Sequence, residues 1–185
     1  MLRRTIDIIA AGTALILLAP LLALLALLVR IKEGSPVFFL QWRGGWHGVP
    51  FRLIKFRTMR LNAERSGGTL TFQADPRITG LGRVLRDFKL DELPQLWNVL
   101  KGEMSLVGPH PILISQRKLY GDTYQEYVRV LPGITGLWQV SGRNDTAFAR
   151  RAELDHEYIR CRSIGLDIYI LFKTIEIILW RQGAY

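Results

Sequence analysis

Residues 6–29 form an apolar run of 24 residues, with Asp7, Gly12, Thr13 and Pro20 as its only clear interruptions. A helix over this run is long enough to cross a bilayer, which takes about 20 apolar residues. No convincing small-residue cleavage site follows it, so a signal peptide is not expected. Two details argue against a straight crossing. Arg3 and Arg4 precede the run, and Arg30 and Lys32 follow it. Basic flanks favour the cytoplasmic side, so a straight span misplaces one of these pairs. Pro20 removes a helical hydrogen bond and clashes with the preceding turn, so a bend is expected there. A helix that enters, bends at Pro20 and returns to the same leaflet satisfies both details.

The chain then divides into a re-entrant membrane helix, residues 1–32, and a cytoplasmic domain, residues 33–185. The second part reads as α+β: a small β-hairpin and several amphipathic helices forming one compact domain. Val37 to Trp42 and Phe51 to Met59 are rich in aromatic and β-branched residues, with Gly44, Gly45 and Gly48 between them. That pattern gives two strands and a longer hairpin loop. Ala63 to Asp75, holding Ser66-Gly67-Gly68, reads as a loop that is either a lid or a connector. Residues 112–131 show mixed helical periodicity, and Phe148 to Ile159 reads as a polar helix. Ile164 to Trp180 is apolar but carries Asp167, Lys173 and Glu176. Three charges argue against a second span and favour a helix lying in the membrane interface, with an ordinary core helix as the alternative.

Charge narrows the partners. The chain holds 25 Lys+Arg against 16 Asp+Glu, a formal net charge of +9. Anionic partners follow: phosphates or acidic headgroups. Composition alone also permits a non-enzymatic, membrane-anchored basic module that binds nucleic acid or acidic lipid. Nucleic acid is not expected, because the charges do not gather in a patch with interleaved aromatics. The single cysteine, Cys161, reads as a packing residue. The three histidines, His47, His110 and His156, are scattered, with no zinc spacing.

Chemistry concentrates in Leu90-Asp-Glu-Leu-Pro-Gln-Leu-Trp-Asn-Val-Leu-Lys-Gly102. Leu93, Leu96, Trp97 and Leu100 recur at helical spacing, and Gly102 stands where a helix would stop. Asp91 and Glu92 open that helix. They could serve it alone, as an N-cap and a favourable charge at its positive end. An acidic pair on a basic chain also suits catalysis on phosphates.

The surrounding motifs bear on that choice. Upstream stand Lys55-Phe-Arg-Thr-Met59, Asp75-Pro-Arg-Ile-Thr79 and Gly82-Arg-Val-Leu-Arg86. Downstream stand Gly108-Pro-His-Pro111, the run Pro132 to Asn144, and Glu153-Leu-Asp155. In order and spacing this set resembles the bacterial sugar transferase family, the small monotopic polyprenyl-phosphate hexose-1-phosphate transferases, or phosphoglycosyl transferases. The resemblance covers nearly the whole chain. It implies transfer of a sugar-1-phosphate from a UDP-sugar to undecaprenyl phosphate, releasing UMP, as the first membrane step of exopolysaccharide or glycan assembly. It implies the cytoplasmic face of the bacterial inner membrane, contact with membrane lipids, and a re-entrant helix. It implies Asp91 as nucleophile and Glu92 as its partner, with Mg²⁺ beside Asp91. Lys55, Arg86, His110, Arg143 and Asp155 match its positions for substrate binding. Three positions depart from the family's usual pattern. His110 stands where arginine is usual, and lacks arginine's bidentate fork for phosphate. Ala19 replaces a serine before Pro20. Lys89 stands where a small hydroxyl residue is usual.

Overall fold

The apolar run folds as one helix, α1 (Leu2–Glu33), and helical structure continues through Pro20. The computed structural model describes residues 2–63, 75–141 and 148–180, without the side chains of residues 122, 148 and 149. Pro20 therefore ends no helix, although it removes one hydrogen bond from it. Both ends of α1 are fastened to the rest of the chain. Near its start, Arg4 donates to Val99 O at 2.6 Å and to Leu100 O at 2.9 Å. Asp7 accepts from Ser105 Oγ at 2.7 Å and from Leu106 N at 3.0 Å. At its end, Arg57 donates to the carbonyls of Glu33 and Gly34. Between these points Ala11 packs with Phe51, Leu53 and Val99, and Leu25 and Val29 pack with Phe56 and Leu85. Each large apolar side chain buried there contributes about 1.5–3 kcal/mol.

The expected hairpin is present. β1 (Phe38–Gly44) pairs antiparallel with β2 (Pro50–Phe56), from Phe38 opposite Phe56 to Gly44 opposite Pro50. The loop between them holds one 3-10 turn, Trp46–Gly48. After β2 the chain meets α2 (Gly80–Asp87), whose first turn is capped by Thr79 Oγ1 accepting from Gly82 N at 2.9 Å. Gly82 permits this meeting, since a Cβ there would lie 2.0 Å from Thr58 O. A single 3-10 turn, Leu90–Glu92, leads into α3 (Gln95–Lys101), which ends at Gly102 with φ 85°. The α-helix thus begins at Gln95 rather than at Asp91, because Pro94 sits at its entry.

A second pairing was not expected from the sequence. β3 (Ser105–Val107) runs parallel to β4 (Gly133–Thr135). Gly133 and Gly108 touch so closely that a Cβ on Gly133 would lie 2.1 Å from Gly108 N. Residues 112–131 resolve into a 3-10 stretch, Ile114–Thr123, broken at Gly121, and one turn of helix, α4 (Tyr124–Tyr127). Three helices follow: α5 (Leu137–Val140), α6 (Phe148–Cys161) and α7 (Ile164–Trp180). Ile170 is the only buried residue of α7, so the core-helix alternative does not describe it.

The described residues therefore show a mixed fold with small sheets and an N-terminal apolar helix. α1 and α7 leave much apolar surface bare: Ile16 is 77% exposed, Leu17 73%, Phe172 70% and Leu179 74%. A surface of this kind fits membrane association.

Candidate active site

The turn Leu90–Glu92 is held from both sides. Lys89 N bonds Arg86 O at 3.1 Å, and Leu93 N bonds Leu90 O at 3.3 Å. Behind it, Asn98 of α3 clamps β2. Its Nδ2 donates to Arg52 O at 2.8 Å, and its Oδ1 accepts from Ile54 N at 3.2 Å. This clamp sets the spacing between β2, which carries Lys55, and the turn that carries Asp91 and Glu92. Lys55 Nζ reaches Glu92 Oε1 at 2.7 Å. Asn98 went unrecognised in the sequence, although a polar residue inside an apolar periodic stretch was a signal for it.

These elements enclose a cavity of about 740 Å³. Among the described residues, seven Lys or Arg and two carboxylates line it. The carboxylates are Asp91 and Glu92. Lys55 and Arg86 line it as the sequence predicts, and Arg86 Nε donates to Thr58 Oγ1 at 2.8 Å. Arg57 is a further cation that the sequence reading quoted but did not assign. It is 6% exposed, and its Nε and Nη1 have no hydrogen-bond partner among the described residues. Asp75 and Arg77 form a buried pair at 2.6 Å that braces the cavity's rim, where Arg60 N bonds Arg77 O at 2.9 Å.

Asp91 is 6% exposed, and no hydrogen bond reaches its carboxylate among the described residues. Burial pushes its pKa up to about 6; Lys55 works against this and Glu92 adds to it. The carboxylate is thus ionised at neutral pH yet poorly stabilised, the condition of a reactive oxygen nucleophile. It does not serve as a helix cap. Among the described residues no group of three or more His, Cys, Asp or Glu is arranged to hold a metal. Asp91 with Glu92 nevertheless suits Mg²⁺, which takes one or two carboxylates and completes its shell with water and substrate phosphate.

Two other sequence-predicted site residues, Asp155 and His110, lie elsewhere. Asp155 is 1% exposed and lines neither this cavity nor its neighbour. It accepts from Tyr120 OH at 2.7 Å and lies 3.8 Å from Arg151 Nε. Burial pushes its pKa up to about 6, countered by Arg151 and by the Tyr120 hydrogen bond. His110 also lines neither cavity. Its Nδ1 lies 2.9 Å from Gln139 Nε2, and its ring lies 5.6 Å from Trp138. Arg151 stacks over the same Trp138 at 4.5 Å and donates to His110 O at 3.2 Å. His110 and Asp155 therefore belong to one packed cluster that shapes the Gly108–Pro111 turn. Arg143 lies outside the described residues, as do residues 64–74 of the loop considered as a lid.

Residues 1–181 match the family model described as bacterial sugar transferase. The chain is 42% identical over 200 residues to the exopolysaccharide production protein ExoY of Rhizobium meliloti, covering 100% of this chain and 88% of that protein. It is 42% identical to the undecaprenyl-phosphate galactose phosphotransferase of Salmonella typhimurium, covering 100% of this chain and 42% of that one. It is also 42% identical to the undecaprenyl-phosphate glucose phosphotransferase of Komagataeibacter xylinus, covering 99% of this chain and 37% of that one.

Proposed function

The chain belongs to the bacterial sugar transferase family, and from that premise we propose that it is a phosphoglycosyl transferase acting through a covalent intermediate on Asp91. The donor is a UDP-sugar and the acceptor undecaprenyl phosphate. One observation carries the reading: a buried carboxylate that accepts no hydrogen bond among the described residues, set in a cavity that seven Lys or Arg line.

The steps follow from charge. Lys55, Arg57 and Arg86 offset the donor diphosphate and hold it against the turn. An Asp91 carboxylate oxygen attacks the sugar-bearing phosphorus. That P–O bond forms while the bond to UMP breaks, and UMP leaves with the electron pair. An oxygen of the lipid phosphate then attacks the same phosphorus. The bond to Asp91 breaks, the carboxylate is restored, and a polyprenyl-diphosphate sugar is released. Splitting the reaction avoids a direct encounter of two anions. Glu92 holds the Lys55 ammonium beside the transferred phosphate. Mg²⁺ at Asp91 and the phosphates would supply further charge neutralisation.

The enzyme works at the cytoplasmic face of the bacterial inner membrane. α1 enters and leaves on that same face, since Arg4 and Asp7 at one end and the Glu33 carbonyl at the other bind the same body. α7 rests in the interface. The topology is tested by labelling Leu2→Cys and Lys32→Cys in a Cys161→Ser background, because Cys161 is itself exposed. Both sites should react only from the cytoplasmic side. Labelling of residue 2 from the periplasm establishes a span instead. The reaction is tested by UMP release from a UDP-sugar panel with undecaprenyl phosphate. No release from any donor sinks the reading.

A further inference from the structure

A second, smaller cavity of about 180 Å³ adjoins the first. Lys89 and Glu92 line both, so the two meet beside Asp91. Their chemistry differs sharply. The smaller one takes its walls from Leu93 and Leu96, from Leu106 and Ile134 on β3 and β4, and from Leu171 and Ile178 of α7. Its two threonine hydroxyls, Thr135 and Thr174, lie 2.7 Å apart and bond each other, so they offer little to a polar ligand. α7, which forms one side, exposes Phe172, Ile175 and Trp180. The groove thus runs from the polar site to a helix that carries bare apolar surface.

Among the described residues, its only cation is at the junction. Lys89 has φ 57° and ψ 20°, a left-handed conformation that residues with side chains adopt rarely. Such conformations persist where surrounding structure enforces them, and they gather at ligand sites. Its ammonium also helps hold down the pKa of Asp91. Lys89 had no role in the sequence reading.

We propose that this groove holds the phosphate-proximal units of the prenyl acceptor and that Lys89, where the groove meets the Asp91 cavity, binds the acceptor's phosphate. The proposal rests on the transferase reading above. An apolar wall leading from one cation fits a single anionic head on a hydrocarbon chain, and fits a nucleotide poorly. Donor and acceptor then approach Asp91 through different cavities. An acceptor phosphate oxygen at Lys89 attacks the Asp91-bound phosphorus, and the carboxylate leaves into the cationic cavity.

The first test uses the parent protein and a prenyl phosphate bearing a benzophenone. Crosslinks should map to α7 and to the β3–β4 side, and undecaprenyl phosphate should compete while phosphatidylglycerol should not. Crosslinks confined to α1, or equal competition by phosphatidylglycerol, overturn the proposal. The second test is Ile178→Trp, which fills the groove from a half-exposed position. UMP release in the absence of acceptor should keep its rate, while KM for undecaprenyl phosphate rises about tenfold, the equivalent of losing contact with two methylenes. Lys89→Ala should raise acceptor KM more than donor KM. Normal UMP release with unchanged acceptor KM in both variants overturns the groove alone. No UMP release from the parent protein fails the transferase reading itself, and the proposal with it.

Discussion

Asp91 and Asp155 are alike by most local measures and unlike in what they can do. Both are buried, both lie in recognisable motifs, and burial pushes both up to about 6. Asp155, however, accepts from Tyr120 and lies beside Arg151 in a packed cluster. Asp91 accepts no hydrogen bond among the described residues and faces a cavity that seven Lys or Arg line. A shifted pKa therefore reports burial. Only space and missing partners turn a buried carboxylate into a reactive one.

The comparison breaks most readily at Asp91 itself. Asp91→Asn should fold and lose at least about a thousandfold in turnover, about 4 kcal/mol of barrier. It should also be more stable than the parent above about pH 6. The sign follows from linkage. A folded pKa near 6 lies above the unfolded value, so the stability that the protonated form gives is lost as pH rises through about 6. Removing the charge recovers up to about 3 kcal/mol, and the gain should vanish as pH falls towards 4. Thermal melts of both proteins across pH check it. Asp155→Ala should do the reverse. It strands Tyr120 and Arg151, so stability should fall by about 2 kcal/mol, while turnover per folded molecule changes less than about tenfold.

Chelation is the next largest effect. Thorough EDTA treatment should abolish turnover, and added Mg²⁺ should restore it; full activity after chelation rules the metal out. Lys55→Met sharpens the electrostatics. Lys55 is the strongest influence holding Asp91 down, so its loss should move the acid limb of the kcat profile up from about 6 by about one pH unit. An unmoved limb would mean that another group controls it. The smallest effect is expected at His110. Its ring contacts Gln139 and Trp138 rather than the cavity, so His110→Arg should alter the KM for UDP-sugar by less than about threefold.

Local rules made much of this fold legible. The apolar run, the hairpin, the stop at Gly102 and the α7 segment follow from periodicity, glycine and proline. Lys55, Arg86, Asp91 and Glu92 meet as their motifs implied. The rest was set by long-range contacts that a linear pattern does not carry. β3 and β4 are three residues each and pair across the chain, too short for an alternating signature. Asn98 acts through the backbone of a strand over forty residues upstream. The resemblance assigned His110 and Asp155 to substrate, yet among the described residues both side chains pack in a cluster away from the Asp91 cavity. Gly133 and Gly108 are close because their backbones touch.

The most direct test incubates the protein with UDP-sugar and no lipid acceptor, then measures intact mass and maps the modified peptide. A gain of one sugar-phosphate on Asp91, absent in Asp91→Asn and discharged by undecaprenyl phosphate, is the expected result. An adduct on another residue, or robust turnover by Asp91→Asn, would contradict the assignment of Asp91 as nucleophile.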